Sequence, residues 1–383
     1  MGKVTNFLPS QYVATDAKEI NHNYLAEQFH DRDIILEKIR SVVIKGDFTL
    51  GEAVNKFEKR FAQKVSAKEA VGVGSGTDAL FLSLKALGIG EGDEVLVPTF
   101  TFYATVGAIV TSGATPVFID SGEDFNLNAL KLEASITKNT KAIIPVHWSG
   151  KPCDMDVIET IAKTYDLFII EDACHSITAS YKNRPAGTYG HLGCFSLHPL
   201  KNLNVWGDGG LIVTNDSELA DKLRLMRNHG LSGRDSCEMF AYNSRLDTIQ
   251  AVVADHLLDK IDDICEARIR NSTYLDKNLS AIDGVSIPPR NADIIRQVFH
   301  IYPLIFEKRD ELKAFLESRG IDAKIHYPIP MHLQNAAKGL GYKVGDFPVA
   351  ERLSASTLSL PVHEYITTEH LDIMIDAVKE FYS

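Results

Sequence analysis

Positive charge is in short supply in this chain. Lysine and arginine total 40 against 51 aspartates and glutamates, a formal net charge of −11. That balance argues against general binding to nucleic acid or to an anionic membrane surface. Any phosphorylated ligand must then be held by local groups rather than by a global field. Cysteine is sparse too: five residues, an odd number, at 153, 174, 194, 237 and 265, with no C-x-x-C spacing. These read as reduced thiols, three of them small buried hydrophobes in or near strands, and no metal site is expected. No apolar run approaches the roughly 18 residues a bilayer needs. Met1-Gly2-Lys3-Val4-Thr5 leads into polar sequence rather than a signal peptide, so the expected location is cytoplasmic. Internal repeats and low-complexity segments are missing as well. What remains is an ordinary globular composition, 45% hydrophobic and 24% charged over 383 residues, able to bury a full core.

Strand-like runs fall at 70–73, 94–98, 116–120, 141–147, 167–172, 192–197 and 210–214, mostly separated by helical or mixed stretches. The alternation predicts an α/β fold with a large, mostly parallel sheet flanked by helices. From 245 to 279 a single long helical pattern turns Ile249, Val252, Val253, Leu257, Leu258, Ile261 and Ile264 inward. A smaller C-terminal α/β domain follows, read as strand 298–306, helix 310–318, strand 323–327, and helices near 348–357 and 368–381. Asp262-Asp263 and Lys308-Arg309 read as solvated charge. The expected division is an N-terminal arm and first helix at 1–45, a large domain at 46–245, and a bridging helix with small domain at 246–383.

Lys201 sits in Ser196-Leu197-His198-Pro199-Leu200-Lys201-Asn202, between one short strand and the turn Gly207-Asp208-Gly209-Gly210 that opens another. A lysine in such a turn-rich hairpin is desolvated yet reachable, the setting in which its amine loses a proton and forms a Schiff base. The apolar run Leu167-Phe168-Ile169-Ile170 ends in Glu171-Asp172, placing a carboxylate at the tip of a buried strand. Pyridoxal phosphate (PLP) needs that pair: a lysine for its aldehyde and an aspartate to keep its ring nitrogen protonated. Gly74-Ser75-Gly76-Thr77 feeds a helix whose inner face is Leu80, Phe81, Leu84 and Leu87, so its free amides and dipole suit a phosphate. A plain N-cap at Ser75 or Thr77 is the alternative. A dinucleotide fold wants an acid at the end of the next strand, and the acids here, Glu91, Asp93 and Glu94, precede it. Phe100, Phe102 and Tyr103 emerge at a strand end, where one could stack on a flat ring or all could be core.

These segments, with Thr49-Leu50-Gly51, Pro145-Val146-His147, Asn243-Ser244-Arg245-Leu246-Asp247, His326-Tyr327-Pro328 and Leu358-Ser359-Leu360-Pro361, occur in family order. Over nearly its whole length the chain resembles the bacterial PLP-dependent sugar aminotransferases of the aspartate aminotransferase superfamily, fold type I. The resemblance implies that Lys201 and Asp172 are catalytic, Lys201 by linking to the cofactor and shuttling a proton. It implies that Gly76, Thr77 and Ser196 hold the phosphate, Phe102 stacks on the ring, and His175 faces it. Asn243 would reach the phosphate of a neighbouring subunit, making a homodimer with shared active sites. His326 and Tyr327 would line the substrate; His147 is structural. The implied reaction moves an amino group from L-glutamate to a keto sugar, a nucleotide-linked 3- or 4-keto-deoxyhexose, for surface polysaccharide or glycoconjugate synthesis. The alternatives are a sugar not linked to nucleotide, a PLP sugar dehydratase, or a catalytically silent PLP-fold regulator. A dehydratase carries histidine where Lys201 stands, and a regulator would have lost Lys201 or Asp172. Two departures bear on regiochemistry. Trp148-Ser149 stand where an aliphatic-Tyr pair is usual. His198, typical of 4-amino-forming enzymes, is joined to a Lys-Asn-Leu and Gly-Asp-Gly-Gly ending typical of 3-amino-forming ones.

Overall fold

The structure, a computed structural model, describes residues 19–383; the first 18 residues of the expected arm lie outside it. All seven expected strands form one sheet: β1 (Glu69–Val73), β2 (Glu94–Pro98), β3 (Thr115–Ile119), β4 (Thr140–Ile143), β5 (Phe168–Asp172), β6 (Leu192–Ser196) and β7 (Gly210–Thr214). Their spatial order is β1-β7-β6-β5-β4-β2-β3. Only β7 runs against its neighbours, so the carboxyl ends of β1, β2, β5 and β6 share one edge. Strands β1, β2, β5, β6 and β7 are buried at their centres, as expected of a sheet covered on both faces, while β3 is partly exposed at Val117 and β4 is exposed at Lys141.

Helices α1 (Glu52–Lys64), α2 (Gly76–Ala86) and α3 (Tyr103–Ser112) pack on this sheet. On one face Phe57 and Phe61 of α1 meet edge-on, and Phe61 meets Phe195 of β6 at 5.1 Å between centroids. Each such buried ring contributes about 1.5–3 kcal/mol through removal from water. Helix α2 starts where Ser75 accepts the Asp78 amide at 3.0 Å and ends before Gly88, whose φ of +75° reverses the chain.

The expected helix over 245–279 is two helices, α4 (Thr248–Leu258) and α5 (Ile261–Leu279). The Lys260 amide bonds to the Leu257 carbonyl at 2.9 Å, a tighter turn that breaks the axis. Asp262 and Asp263 then lie in the first turn of α5, where the helix dipole favours them. Apolar residues continue across the break, so periodicity did not reveal it. Asp262 pairs with Lys64 rather than standing in water alone.

A second sheet joins β8 (Val285–Ser286), β9 (Tyr302–Phe306) and β10 (Thr357–Leu360), with helices α6 (Arg309–Ser318) and α7 (Thr368–Tyr382) against it. Strand β9 is shorter than the expected 298–306. The amides of Val298 and His300 bond instead to the carbonyls of Gly150 and Ser149, both at 3.1 Å, which ties this segment to the large sheet's loops. The expected strand 323–327 reduces to one bridge, Lys324 to Ser359. Arg309 is buried, not solvated: it donates to the Ser354 and Thr357 carbonyls at 3.1 and 3.0 Å. Among the described residues no helix is long and apolar enough to cross a membrane, and no group of three or more metal-ligating side chains occurs.

Candidate active site

At the shared strand edge a cavity of about 250 Å³ gathers Gly76, Thr77, Phe102, Asp172, His175, Ser196, Lys201, His326 and Tyr327. Nine of the ten residues singled out in the sequence therefore meet in one place. Asn243 does not. It lies exposed in the loop before α4, its backbone bridged to Asn228. The next residue, Ser244, fastens that loop to the phosphate turn, accepting the Gly74 amide at 3.1 Å and donating to Asp78 at 2.8 Å.

Register explains the convergence. Asp172 ends β5 opposite Cys194 on β6, two residues before Ser196, which pairs with Gly210 of β7. Gly210 in turn opposes Val73, the last residue of β1. The turn from β1 into α2 then crosses directly over Gly210: a Cβ there would come within 2.3 Å of the Ser75 carbonyl oxygen. A Cβ on Gly76 would lie 2.7 Å from the Ser196 Cβ and 3.0 Å from the Cys174 Sγ. Only glycine lets backbone approach this closely, and the first-turn amides of α2 face the cavity as a result. Ser75 is indeed an N-cap, but a cap on a helix aimed at a cavity rather than at solvent.

Glu171 and Asp172 point to opposite faces of β5 and do different work. Glu171, fully buried, accepts His147 Nε2–H and the Gly187 amide, both at 2.8 Å, and the Tyr189 and Gly190 amides at 2.6 Å. His147 in turn accepts the Cys153 amide on Nδ1, so it is structural as expected. Asp172 faces the cavity. Thr105 donates to its Oδ2 at 2.8 Å and the Cys174 amide to its Oδ1 at 3.2 Å, with Thr101 hydrogen-bonded to Thr105 behind it. Those bonds fix the orientation of the carboxylate.

Among the described residues no hydrogen bond or ion pair holds the Lys201 amine. Burial holds its pKa below the ordinary lysine value, against the smaller opposing pull of Cys174 and Asp172. An amine without partners and with its pKa lowered is more readily deprotonated to a nucleophile than an ordinary lysine. The surrounding histidines are held neutral too. Burial, then Lys201, lowers His175 well below its usual range, and burial lowers His326 to about 4. His175 accepts the Ser149 amide at 3.3 Å and lies 4.3 Å, centroid to centroid, from His300.

Of the three aromatics after β2, Phe100 is core, while Phe102 and Tyr103 are about half exposed. Phe102 lines the cavity 5.8 Å from Tyr327. Sequence reasoning missed Thr105, Thr101 and His300. Thr105 had a faint signal, a hydroxyl one turn into a helix that starts at a site-facing strand end. His300 had none, because only the detour of 298–300 onto Ser149 and Gly150 brings it here.

A desolvated lysine, a fixed carboxylate on an adjoining strand and a helix N-terminus packed glycine to backbone are the donor set that pyridoxal phosphate requires. They fit an amine-linked, anionic, pyridine-type cofactor, the site of a fold type I PLP enzyme. The model of the DegT/DnrJ/EryC1/StrS aminotransferase family matches residues 30–379. The chain belongs to this family and is a PLP-dependent aminotransferase. A dTDP-3-amino-3,4,6-trideoxy-alpha-D-glucose transaminase of Streptomyces venezuelae is 40% identical, with 90% of each chain covered. A protein of Geobacillus stearothermophilus named pleiotropic regulatory protein is also 40% identical, over 94% of this chain and 97% of the relative. The crystal structure of S. venezuelae DesV in complex with a ketimine intermediate superposes with a TM-score of 0.91 at 38% identity, covering 94% of this chain and 97% of that one.

Proposed function

We propose that this enzyme moves the amino group of L-glutamate to C3 of a nucleotide-linked keto-deoxyhexose in the cytoplasm, as a homodimer. The observation that carries the reading is the unpartnered Lys201 amine in one cavity with Asp172 and the α2 N-terminus. The Streptomyces relative, named for a 3-amino dTDP sugar, supports both the nucleotide and C3. The Lys-Asn-Leu and Gly-Asp-Gly-Gly ending around Lys201 supports C3 alone.

When bound, pyridoxal phosphate supplies an electron sink that holds the charge left when a Cα proton departs. Asp172, oriented by Thr105, holds the proton on the ring nitrogen. Lys201 would hold the cofactor through its amine and would serve as the base and acid that moves the Cα proton. Gly76, Thr77 and Ser196 anchor the phosphate, Phe102 and His175 flank the ring, and Asn243 reaches the partner's phosphate. His326 and Tyr327, with His300, come from the C-terminal part (246–383) and line the cavity together with residues of the part at 46–245. A dehydratase reading is disfavoured by the lysine at 201. A regulatory reading, prompted by the name of one relative, is disfavoured because Lys201 and Asp172 are both in place.

The test incubates the purified protein, PLP and glutamate with a panel of 3-keto and 4-keto sugar nucleotides and unlinked keto sugars. Mass spectrometry should find an amino sugar nucleotide and one equivalent of 2-oxoglutarate, with C3 shown by NMR. Product only from 4-keto or unlinked sugars would overturn the substrate assignment.

A further inference from the structure

A second, smaller cavity of about 70 Å³ adjoins the cofactor cavity, with His300, Ile301, His326 and Leu200 common to the walls of both. Arg268 of α5 lines it, 2% exposed. One guanidinium nitrogen, Nη1, donates to the Phe299 and His300 carbonyls at 3.2 and 3.3 Å. The other two, Nε and Nη2, are buried with no hydrogen-bond partner among the described residues. These two nitrogens form the edge of the guanidinium that takes a carboxylate in two parallel hydrogen bonds.

Glu364 lies 3.4 Å from Nη2, within ion-pair range, but without hydrogen-bond alignment, and its Oε2 is itself unpartnered. Lys324 lines the cavity and pairs with Asp322 at 2.6 Å. Asp322 also accepts the His22 amide at 3.3 Å. Lining charge is thus two cations to one carboxylate. His22, also on the wall, keeps an unpartnered Nδ1. Glu364 offsets the charge of Arg268 but leaves two buried N–H groups without hydrogen bonds, which costs stability unless something fills the cavity edge they face.

We infer that this side cavity is the subsite for the distal carboxylate of the amino donor, with the Arg268 fork as its anchor and Lys324 as its second cation. The inference rests on the reading that a dicarboxylic amino acid is the donor. Cα then faces Lys201 in the main cavity while the side chain runs past His300 and His326 into the smaller one. A keto sugar has no such carboxylate, so one active site can take two unlike substrates without each compromising the other.

The experiment follows the donor half-reaction alone, by the absorbance change of the PLP-loaded enzyme in single turnover, with glutamate and with glutamine, its neutral isostere. Wild type should react faster with glutamate. In Arg268→Lys and Lys324→Gln the glutamate-to-glutamine rate ratio should fall by about 10- to 100-fold, the range of a lost charge-assisted hydrogen bond. Lys324→Gln keeps the test open if Arg268→Lys fails to fold, since Arg268 also carries two backbone carbonyls. Equal losses with both donors would mean a structural role and overturn the subsite, as would an unchanged ratio, the result expected if Glu364 fills the fork. Wild-type conversion by other amino acids but not by glutamate would instead refute the donor reading.

Discussion

At the residue scale the site turns on two side chains that the fold holds in uncomfortable states. Among the described residues Lys201 has no partner for its amine, and it is half-buried in the cavity wall. Its unfolded pKa is near the ordinary value of about 10.4, and burial lowers the folded one. The folded state therefore loses stability relative to the unfolded as pH falls from 10.4 through the folded value, because the buried amine must then be charged. Replacing Lys201 by Met should raise the melting temperature of the cofactor-free enzyme at neutral pH, as a melting curve would show. The gain should shrink toward pH 10. Lys201→Ala should abolish transamination by several orders of magnitude with the fold retained, since the lysine both links the cofactor and moves the proton. Turnover at the wild-type rate in that variant would remove Lys201 from the mechanism.

Asp172 can be tested with a substitution that keeps the side chain's shape, although one of its two acceptor oxygens becomes a donor. In Asp172→Asn the cofactor should remain bound, as titration would show, while the rate drops severely because the ring nitrogen is no longer held protonated. Thr105→Val should cost less, about 10-fold, the worth of one orienting hydrogen bond at 2.8 Å. If Thr105→Val costs as much as Asp172→Asn, the hydroxyl has a direct role beyond orientation.

At the element scale the turn into α2 packs tightly over Gly210, and on the proposed reading that packing sets cofactor affinity. The β1–α2 turn, the β6 end and the β7 start pack with no room for a Cβ at Gly76. Gly76→Ala should push the helix N-terminus off Ser196, at the 1–3 kcal/mol typical of overpacking, and weaken PLP binding about 10- to 100-fold. Fluorescence titration of the cofactor-free enzyme measures it directly. Wild-type affinity would show that the phosphate is held elsewhere. The edge strand β1 that feeds this turn is itself clamped: Glu58 accepts the Gly72 amide at 2.7 Å, and Arg227 donates to the Gly72 carbonyl at 2.7 Å and to Glu58. That pair satisfies polar groups a buried sheet edge would otherwise leave open.

At the scale of the whole molecule two expectations stand out. Asn243 is exposed on a loop pinned to its own chain's phosphate turn by Ser244, a rigid mount for reaching outward. In a two-fold dimer each chain would then complete its partner's site. Mixing inactive Lys201→Ala with a chain whose Asn243 is replaced so as to abolish cofactor binding should regenerate one intact site per heterodimer. Confirmed subunit exchange with no recovered activity would mean that each site is built within one chain. The second concerns acid. His22, His175 and His300 are held well below their usual range, His326 at about 4 and His363 at about 3, in each case chiefly by burial. The unfolded chain takes up those protons near pH 6.5 and the folded one does not, so stability present above 6.5 is lost as pH falls. Each histidine contributes about 1.4 kcal/mol per pH unit in that window. His363→Asn should flatten the fall in melting temperature between pH 6.5 and 4; parallel curves would show that His363 is not kept neutral by the fold.

What the sequence determined by itself was what local pattern encodes. Alternating apolar runs and turns specify seven strands, and the chemistry of Lys201, Asp172 and the Gly74–Thr77 turn names a cofactor, because each signal lies within a few consecutive residues. Only tertiary structure decided what depends on residues distant in the chain. The break between α4 and α5 hides inside unbroken apolar periodicity, and it depends on a single tightened turn. His300 enters the site because its amide bonds to Ser149, and Arg309 is buried because the Ser354 and Thr357 carbonyls need a donor. Thr105 matters because its hydroxyl meets Asp172 across 67 positions of chain. Buried polar groups must find partners wherever the fold offers them, and no local window of sequence records where that will be.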